Sequence, residues 1–316
     1  MRTTDRSAGV EGPELRPATV NHESRVGCVG RREFVRTAGA VLAGAAFVAR
    51  DERVALRSTD GPGARAPLGR IGLELYSVRD AMRRDPEATL AAVRAIGYTD
   101  VELLWSFNNF GRTPAQVRAA LQQTGLRAPS AHIAPESLLA GWNKSLETAA
   151  LLGHEYLIVP SLPADTQKSL DGWRRWADHF NRAGDMARRS KIWLAFHNEP
   201  DHMKPIDGVV PYDLFVERTD AALVRLQLDV GNMAMGGGDP MRYLRAHAAR
   251  YWSFHLKDVV ADNTSDTELG AGRLDLRALL AAIPDLPRKP LYVEQEGATD
   301  SLASARRNFA WLRALP

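Results

Sequence analysis

Eight short apolar runs, mostly about thirty residues apart, constrain this chain more than any other feature: Ile71–Tyr76, Asp100–Leu104, Ala128–Ile133, Tyr156–Val159, Ile192–His197, Val224–Asp229, Trp252–Lys257 and Leu291–Glu294. Runs this short and rich in branched apolar residues read as buried strands. Between them lie helical patterns at Pro86–Ile96, Thr113–Thr124, Ser137–Leu152, Leu170–Ser190, Pro211–Thr219, Pro240–Ala248 and Leu274–Ala282. Several open on Pro or on an Asp, Ser or Thr cap, and Gly97, Gly125 and Gly153 stand where helices should stop. Eight strand–helix units in one chain predict an α/β fold of the (βα)8 TIM barrel type over residues 71–316. A doubly wound open sheet competes. Against it, the first run leads into Tyr76-Ser77-Val78-Arg79 rather than a Gly-x-Gly-x-x-Gly turn, and Met235-Gly236-Gly237-Gly238-Asp239 lacks the Lys-Ser/Thr of a phosphate loop.

The residues before Ile71 have a different character. Gly30-Arg31-Arg32-Glu33-Phe34-Val35-Arg36 precedes an uncharged Ala/Gly/Val run from Thr37 to Ala49. Such a run spans only about 20 Å as a helix, short of a ~30 Å hydrocarbon core. The expectation is an export signal of twin-arginine type over residues 1–49, then a Gly/Pro/Arg-rich linker over 50–70. That places the mature protein in the periplasm, with no stable membrane insertion once the signal is cleaved; an uncleaved anchor is the alternative. Of the chain's 41 Lys/Arg and 38 Asp/Glu, residues 1–70 hold 12 and 8, leaving 29 against 30. The pI near 9.1 is therefore a property of the leader and gives no reason to expect a nucleic-acid partner. Cys28, the only cysteine, precedes the apolar run, which excludes disulfides and thiol catalysis from the mature chain.

In a barrel the working groups lie at the C-terminal strand ends, and alternate residues point inward. Applied here, that period collects Glu74 and Tyr76, Glu102, Ser130 and His132, His197 with Glu199 beyond it, Gln227 and Asp229, His255 and Lys257, and Glu294 and Glu296. A barrel with no chemistry to do has no reason to bury so many charges. Bound to a divalent cation they become tolerable, and His197, Asp229, His255 and Glu294 form a mixed nitrogen and oxygen set suited to Mn²⁺, Zn²⁺, Co²⁺ or Fe²⁺. Each has a plainer reading: a single strand histidine is more often a hydrogen-bonded core residue, and a strand-end Asp often caps the next helix. It is the convergence of the four that favours the metal. His154, His179 and His247 read as surface residues, Trp173 and Trp176 as packing, and Trp105 as a candidate to stack on a sugar.

These residues sit in motifs that resemble a known family. Gly72-Leu73-Glu74-Leu75-Tyr76-Ser77-Val78-Arg79, Phe196-His197-Asn198, Ile206-Asp207-Gly208, Leu228-Asp229-Val230-Gly231-Asn232, Gly238-Asp239-Pro240, Phe254-His255-Leu256-Lys257-Asp258, Gly270-Ala271-Gly272 and Val293-Glu294-Gln295-Glu296 resemble the sugar phosphate isomerase/epimerase family of xylose isomerase-like TIM barrels. The resemblance implies a divalent metal held at His197, Asp229, His255 and Glu294. In the related ketose epimerases the fifth-strand ligand is a glutamate, so His197 marks the other branch. Glu74 stands where that branch commonly has Gln. The common His-Asn-His-Asp-x-Glu pattern reads His197-Asn198-Glu199-Pro200-Asp201-His202, which alters the proton-transfer apparatus.

The expected chemistry is metal-assisted proton transfer beside a sugar carbonyl, giving isomerisation or epimerisation through an enediolate. Glu199, His202 and Glu102 are the candidate bases, with Lys257 or His132 steadying the oxyanion. A lyase or hydrolase acting on a 3-keto-glycoside at the same site is an alternative, as is a non-catalytic sugar-binding barrel. DNA repair, which the related apurinic endonucleases perform on this barrel, needs a basic groove that a near-neutral chain does not offer.

Overall fold

The computed structural model describes residues 68–315. The expected signal segment, Cys28 and nearly all of the linker lie outside the described residues. Eight parallel strands close into a barrel: β1 (Ile71–Glu74), β2 (Asp100–Leu104), β3 (Arg127–His132), β4 (Tyr156–Val159), β5 (Trp193–His197), β6 (Val224–Asp229), β7 (Tyr251–Leu256) and, after a small antiparallel pair β8 (Asp258–Val259) and β9 (Asp266–Thr267), β10 (Leu291–Val293). The last strand pairs in parallel with both β1 and β7, so no edge is left open. The predicted (βα)8 barrel is the observed fold.

The helices between strands are α1 (Pro86–Ile96), α2 (Pro114–Thr124), α3 (Trp142–Leu152), α4 (Leu170–Arg189), α5 (Pro211–Arg218), α6 (Pro240–His247), α7 (Leu276–Ala282) and α8 (Ser301–Arg313). Side-chain oxygens close the first turns of six of these eight. Asp85 accepts from the Ala88 N–H, Thr113 and Gln116 form a reciprocal capping box, and Ser169, Asp239, Asp275 and Asp300 do the same for later helices. Each such cap contributes about 1 kcal/mol. Gly125 and Gly153 end α2 and α3 at φ of 68° and 76°, the left-handed region that favours glycine.

The strand period of two separates two cores. Outward residues such as Leu103, Leu157, Leu194, Phe196, Leu228 and Phe254 pack with Trp173, Phe180 and Phe215 of the helical shell. A smaller cluster of Tyr156, Ile158 and Ala195, packed against Trp193 and Trp252, is separate from it. Burying each large apolar side chain stabilises by about 1.5–3 kcal/mol, so the outer shell carries the fold. The interior is left free to hold polar groups.

Three local departures from the expected elements matter for the site. The first strand stops at Glu74 because Leu75–Val78 winds into a 3-10 turn, and Tyr76 leaves the interior to pack edge-on against Phe107 at 5.6 Å. The third helix begins at Trp142, not Ser137: Pro135–Leu138 forms its own 3-10 turn, and Gly141 adopts φ 80°. The β8–β9 pair was not foreseen. It is held by the fully buried Asp258, whose carboxylate accepts N–H bonds from Val259, Gly270, Gly272 and Leu274.

Candidate metal centre and active site

The register places the ionisable side chains in two layers inside the barrel. In the deeper layer Glu74 lies opposite Glu102, and Glu102 opposite Ser130. Nearer the rim Asp229 lies opposite His255. The four ligands expected from the sequence come together: one ligand atom from each of His197, Asp229, His255 and Glu294 lies within 4.8 Å of the others, and all four residues are buried.

Asp229 fulfils both of its possible readings. Its Oδ1 accepts the Asn232 N–H at 2.7 Å, capping the short helix Val230–Met235, while Oδ2 turns toward the site, 3.1 Å from the Lys257 ammonium but without an aligned hydrogen bond. Both ring nitrogens of His197 are likewise buried without a partner, Nε2 standing 3.6 Å from Asp229 Oδ2. An orphaned buried polar atom costs about 1–3 kcal/mol. Three of them converging from two strand ends, in a donor set of two imidazoles and two carboxylates, fit a divalent cation. Burial pushes the His197 imidazole down to about 4, against the pull of Asp229, so at neutral pH its nitrogens are free to ligate.

His255 is oriented from both sides. Its Nδ1 lies 2.7 Å from Glu294 Oε2 and its Nε2 lies 2.6 Å from Glu102 Oε2. Burial opposes the imidazolium, but Glu294 and Glu102 outweigh it and raise the group to about 10. Burial opposes the charged Glu102 too, yet His132 and His255 hold it well below the usual carboxylate range. Glu102 is also engaged by Ser130 Oγ, which donates at 2.5 Å, and by Gln227 Nε2, which donates to both carboxylate oxygens. It is fully buried, its carboxylate shared among Ser130, Gln227 and His255.

Lys257 is fully buried among acids, its Nζ donating to Glu296 Oε1 at 2.6 Å and to Asn232 Oδ1 at 3.0 Å, with Asp229 Oδ2 and Glu294 Oε2 at 3.1 and 3.2 Å. Burial alone would lower this ammonium, but Asp229, Glu294, Glu296 and Glu199 hold it well above its ordinary range. Its aliphatic stem crosses the backbone at Gly231, where an added Cβ would lie 2.6 Å from Lys257 Cγ. Glu199, just beyond β5, keeps access to solvent, with 34% of its side chain exposed. Its Oε2 accepts from Asn232 Nδ2 at 3.0 Å. Enclosure, with Glu294, Asp229 and Glu296 nearby, raises it to about 8 against the pull of Lys257.

Two expectations change. His202 does not face the site. The Pro200–Met203 turn carries it behind β5, where its ring stacks on Phe196 at 5.3 Å and meets Trp173 at 5.0 Å, while Nδ1 accepts the Glu199 N–H. Burial drives it down to about 3, which makes it a neutral core histidine. His154 is buried rather than on the surface, with Nδ1 2.5 Å from the Ala128 carbonyl, and Trp105 packs on it at 5.5 Å. His132 stays at the site, its ring 5.2 Å from that of His197 and 5.3 Å from that of His255, but its Nε2 is committed to Gln227 Oε1 at 2.9 Å.

The sequence reading gave no place to Asn198 or Asn232, and collected Glu296 in the polar ring without assigning it a role. Asn198 bridges β5 and β6 by donating to the Asp229 carbonyl and accepting the Asp229 N–H, which fixes the spacing of His197 and Asp229. Asn232 links Glu199 to Lys257, and Glu296 is seated by its backbone N–H on Asp266. All three lay inside the family-like motifs, and that was the signal that could have found them.

Known proteins show the same architecture. The chain is 25% identical over 219 residues to an inosose dehydratase of Geobacillus kaustophilus, covering 62% of this chain and 69% of the relative. An inosose dehydratase of Bacillus thuringiensis is 28% identical over 124 residues, and the match spans only 41% of its length. Among solved structures, a sugar phosphate isomerase/epimerase from Parabacteroides distasonis superposes with a TM-score of 0.68 at 23% identity, covering 81% of this chain and 99% of that one. The IOLI protein with a bound zinc atom superposes at 0.61 and 13% identity, over 77% and 97% of the two chains. Residues 90–315 match the family model of the xylose isomerase-like TIM barrel, and the chain belongs to that family.

Proposed function

We propose that this barrel is a metal-dependent enzyme that removes a proton from the carbon beside the carbonyl of a sugar or keto-sugar, giving isomerisation or epimerisation. The observation that carries this reading is the convergence of orphaned His197 and Asp229 atoms with His255 and Glu294, next to a half-exposed Glu199. A divalent cation held by those four residues would polarise the carbonyl and stabilise the negative charge that develops on its oxygen. Glu199 takes the proton, its raised affinity suiting a group that must both accept and return it near neutral pH. Lys257, held by Asn232 and Glu296, offers a positive charge to the same oxygen or its neighbour. Glu102 keeps the His255 ring in place.

The likeness to inosose dehydratases favours a second outcome at this site. After the same proton removal, the electron pair left on carbon forms the carbon–carbon double bond as the bond to a β-leaving group breaks, releasing water or an alcohol. Incubation in D₂O of Mn²⁺- or Co²⁺-loaded protein with ketoses, keto-cyclitols and 3-keto-glycosides separates the outcomes by mass. Deuterium uptake at unchanged composition marks epimerisation or isomerisation. Loss of water or aglycone marks elimination. Tight binding of a panel member with no deuterium uptake would show a sugar-binding barrel instead. The periplasmic, twin-arginine route remains part of the proposal and is tested by whether a fusion to the first 70 residues is exported only when Arg31 and Arg32 are present.

A further inference from the structure

The donor set of the rim is repeated one layer deeper. Glu74 of β1, Glu102 of β2, His132 of β3 and His255 of β7 each present a ligand atom within 4.8 Å of the others, and all four are buried. Two carboxylates and two imidazoles again make up the set, and His255 belongs to both groups. Its Nδ1 lies beside Glu294, and its Nε2 lies beside Glu102.

Glu74 shows that this deeper layer is incomplete as a hydrogen-bonded network. Its side chain is fully buried, and neither carboxylate oxygen meets a donor. On the neighbouring strand the register sets it opposite another acid, Glu102, whose own oxygens are occupied by Ser130, Gln227 and His255. Ligand atoms of His132 and His255 lie within 4.8 Å of the Glu74 carboxylate. Ligand atoms of a tetrahedral ion, at bonds of about 2.1 Å, stand about 3.4 Å apart, so the more widely spaced of these atoms draw together to close the set.

We propose that the barrel holds a second divalent cation, bound by Glu74, Glu102, His132 and His255 beneath the rim site, with His255 shared between the two as a bridging imidazolate whose two ring protons are released when the cations bind. The mixed nitrogen and oxygen set selects a transition ion such as Zn²⁺ or Mn²⁺ over Mg²⁺. The deeper ion neutralises Glu74 and fixes the far side of the His255 ring, a structural task that does not depend on which reaction the rim performs.

The test is metal stoichiometry. Chelator-stripped full-length protein is titrated with Zn²⁺ by calorimetry, with bound metal counted by plasma mass spectrometry, for the wild type and for Glu74→Gln and Asp229→Ala. Two equivalents are expected for the wild type and one for each variant. Glu74→Gln keeps the shape of the side chain, and a wild-type count of two supports the deeper site even if a variant misfolds. One wild-type equivalent that Asp229→Ala abolishes and Glu74→Gln leaves intact would overturn the deeper site while leaving the rim reading in place; Glu74 is then neutralised by a proton. One equivalent with the opposite pattern supports the deeper site and overturns the rim reading. No bound Zn²⁺ overturns both.

Discussion

The two layers inside the barrel contain similar residues but satisfy them differently. In the deeper layer Glu102 is surrounded by donors from Ser130, Gln227 and His255, and Tyr292 receives a second contact from Ser130. Nearer the rim, both ring nitrogens of His197 lack a hydrogen-bond partner, and Asp229 Oδ2 faces the Lys257 ammonium without an aligned hydrogen bond. Closed networks rigidify, whereas open ones that converge on a point are where a ligand belongs. Glu74 is the open position in the otherwise closed layer, which sets it apart.

The largest expected effect lies at the rim. Asp229→Ala should remove rim metal binding and reduce turnover to background. Activity retained by a metal-free preparation of this variant would break the distinction between the layers. Next, Glu199→Gln should lower turnover by about 10²–10⁴-fold while the metal count stays unchanged, because Glu199 moves a proton without ligating. A parallel loss of metal would make Glu199 a ligand instead. Glu102→Gln acts from below, and a weakening of rim metal affinity by about 10–100-fold is expected, read from competition with a chelator. An unchanged affinity would mean that the deeper layer does not orient His255.

A pH experiment sharpens the same contrast. In the metal-free protein His255 is raised from 6.5 to about 10 in the folded state, against burial, by Glu294 and Glu102. Its contribution to stability is therefore fully present below pH 6.5 and is lost as pH rises through about 10. The melting temperature of metal-free protein should fall over that window, and His255→Gln should flatten the fall. The smallest effect is expected at His202. Replacement by Phe should leave turnover nearly unchanged, since the ring lies in an aromatic core behind β5. A large loss of turnover at normal stability would return His202 to the proton-transfer group.

The fold was legible because the eight barrel strands announced themselves by apolar content and most helices by a cap, a proline or a glycine stop, whereas the last helix, Ser301–Arg313, was not foreseen. The convergence of the four candidate rim ligands was legible because His197 and Asp229 end their strands, Glu294 follows one and His255 is a penultimate residue, where the barrel geometry dictates an inward direction. His202 was misread for the opposite reason. Five residues beyond His197, its direction is set by a 3-10 turn that no period describes, and the turn carries it to the face shared with Phe196. Glu102 was assigned as a base because strand parity gives facing but not depth. How deep a side chain sits follows from the strand stagger, seen here only in the pairing of Glu102 with Glu74 and Ser130. Asp258 and the β8–β9 pair escaped notice because their order comes from four backbone N–H groups spread over residues 259–274.

The crossing of Lys257 over Gly231 makes these two positions a single design choice. Any side chain at 231 would occupy the space through which the lysine stem passes, with Cβ, Cγ and Cδ all 2.6–2.8 Å from the added carbon. An alanine there would press on the stem near its root and displace the ammonium from Asn232 and Glu296, although Gly231 itself touches no reacting group. A shorter residue at 257 would relieve the crowding and surrender the charge. Barrels of this kind that abandon the lysine are thereby released from the glycine, and the two should be exchanged together or not at all.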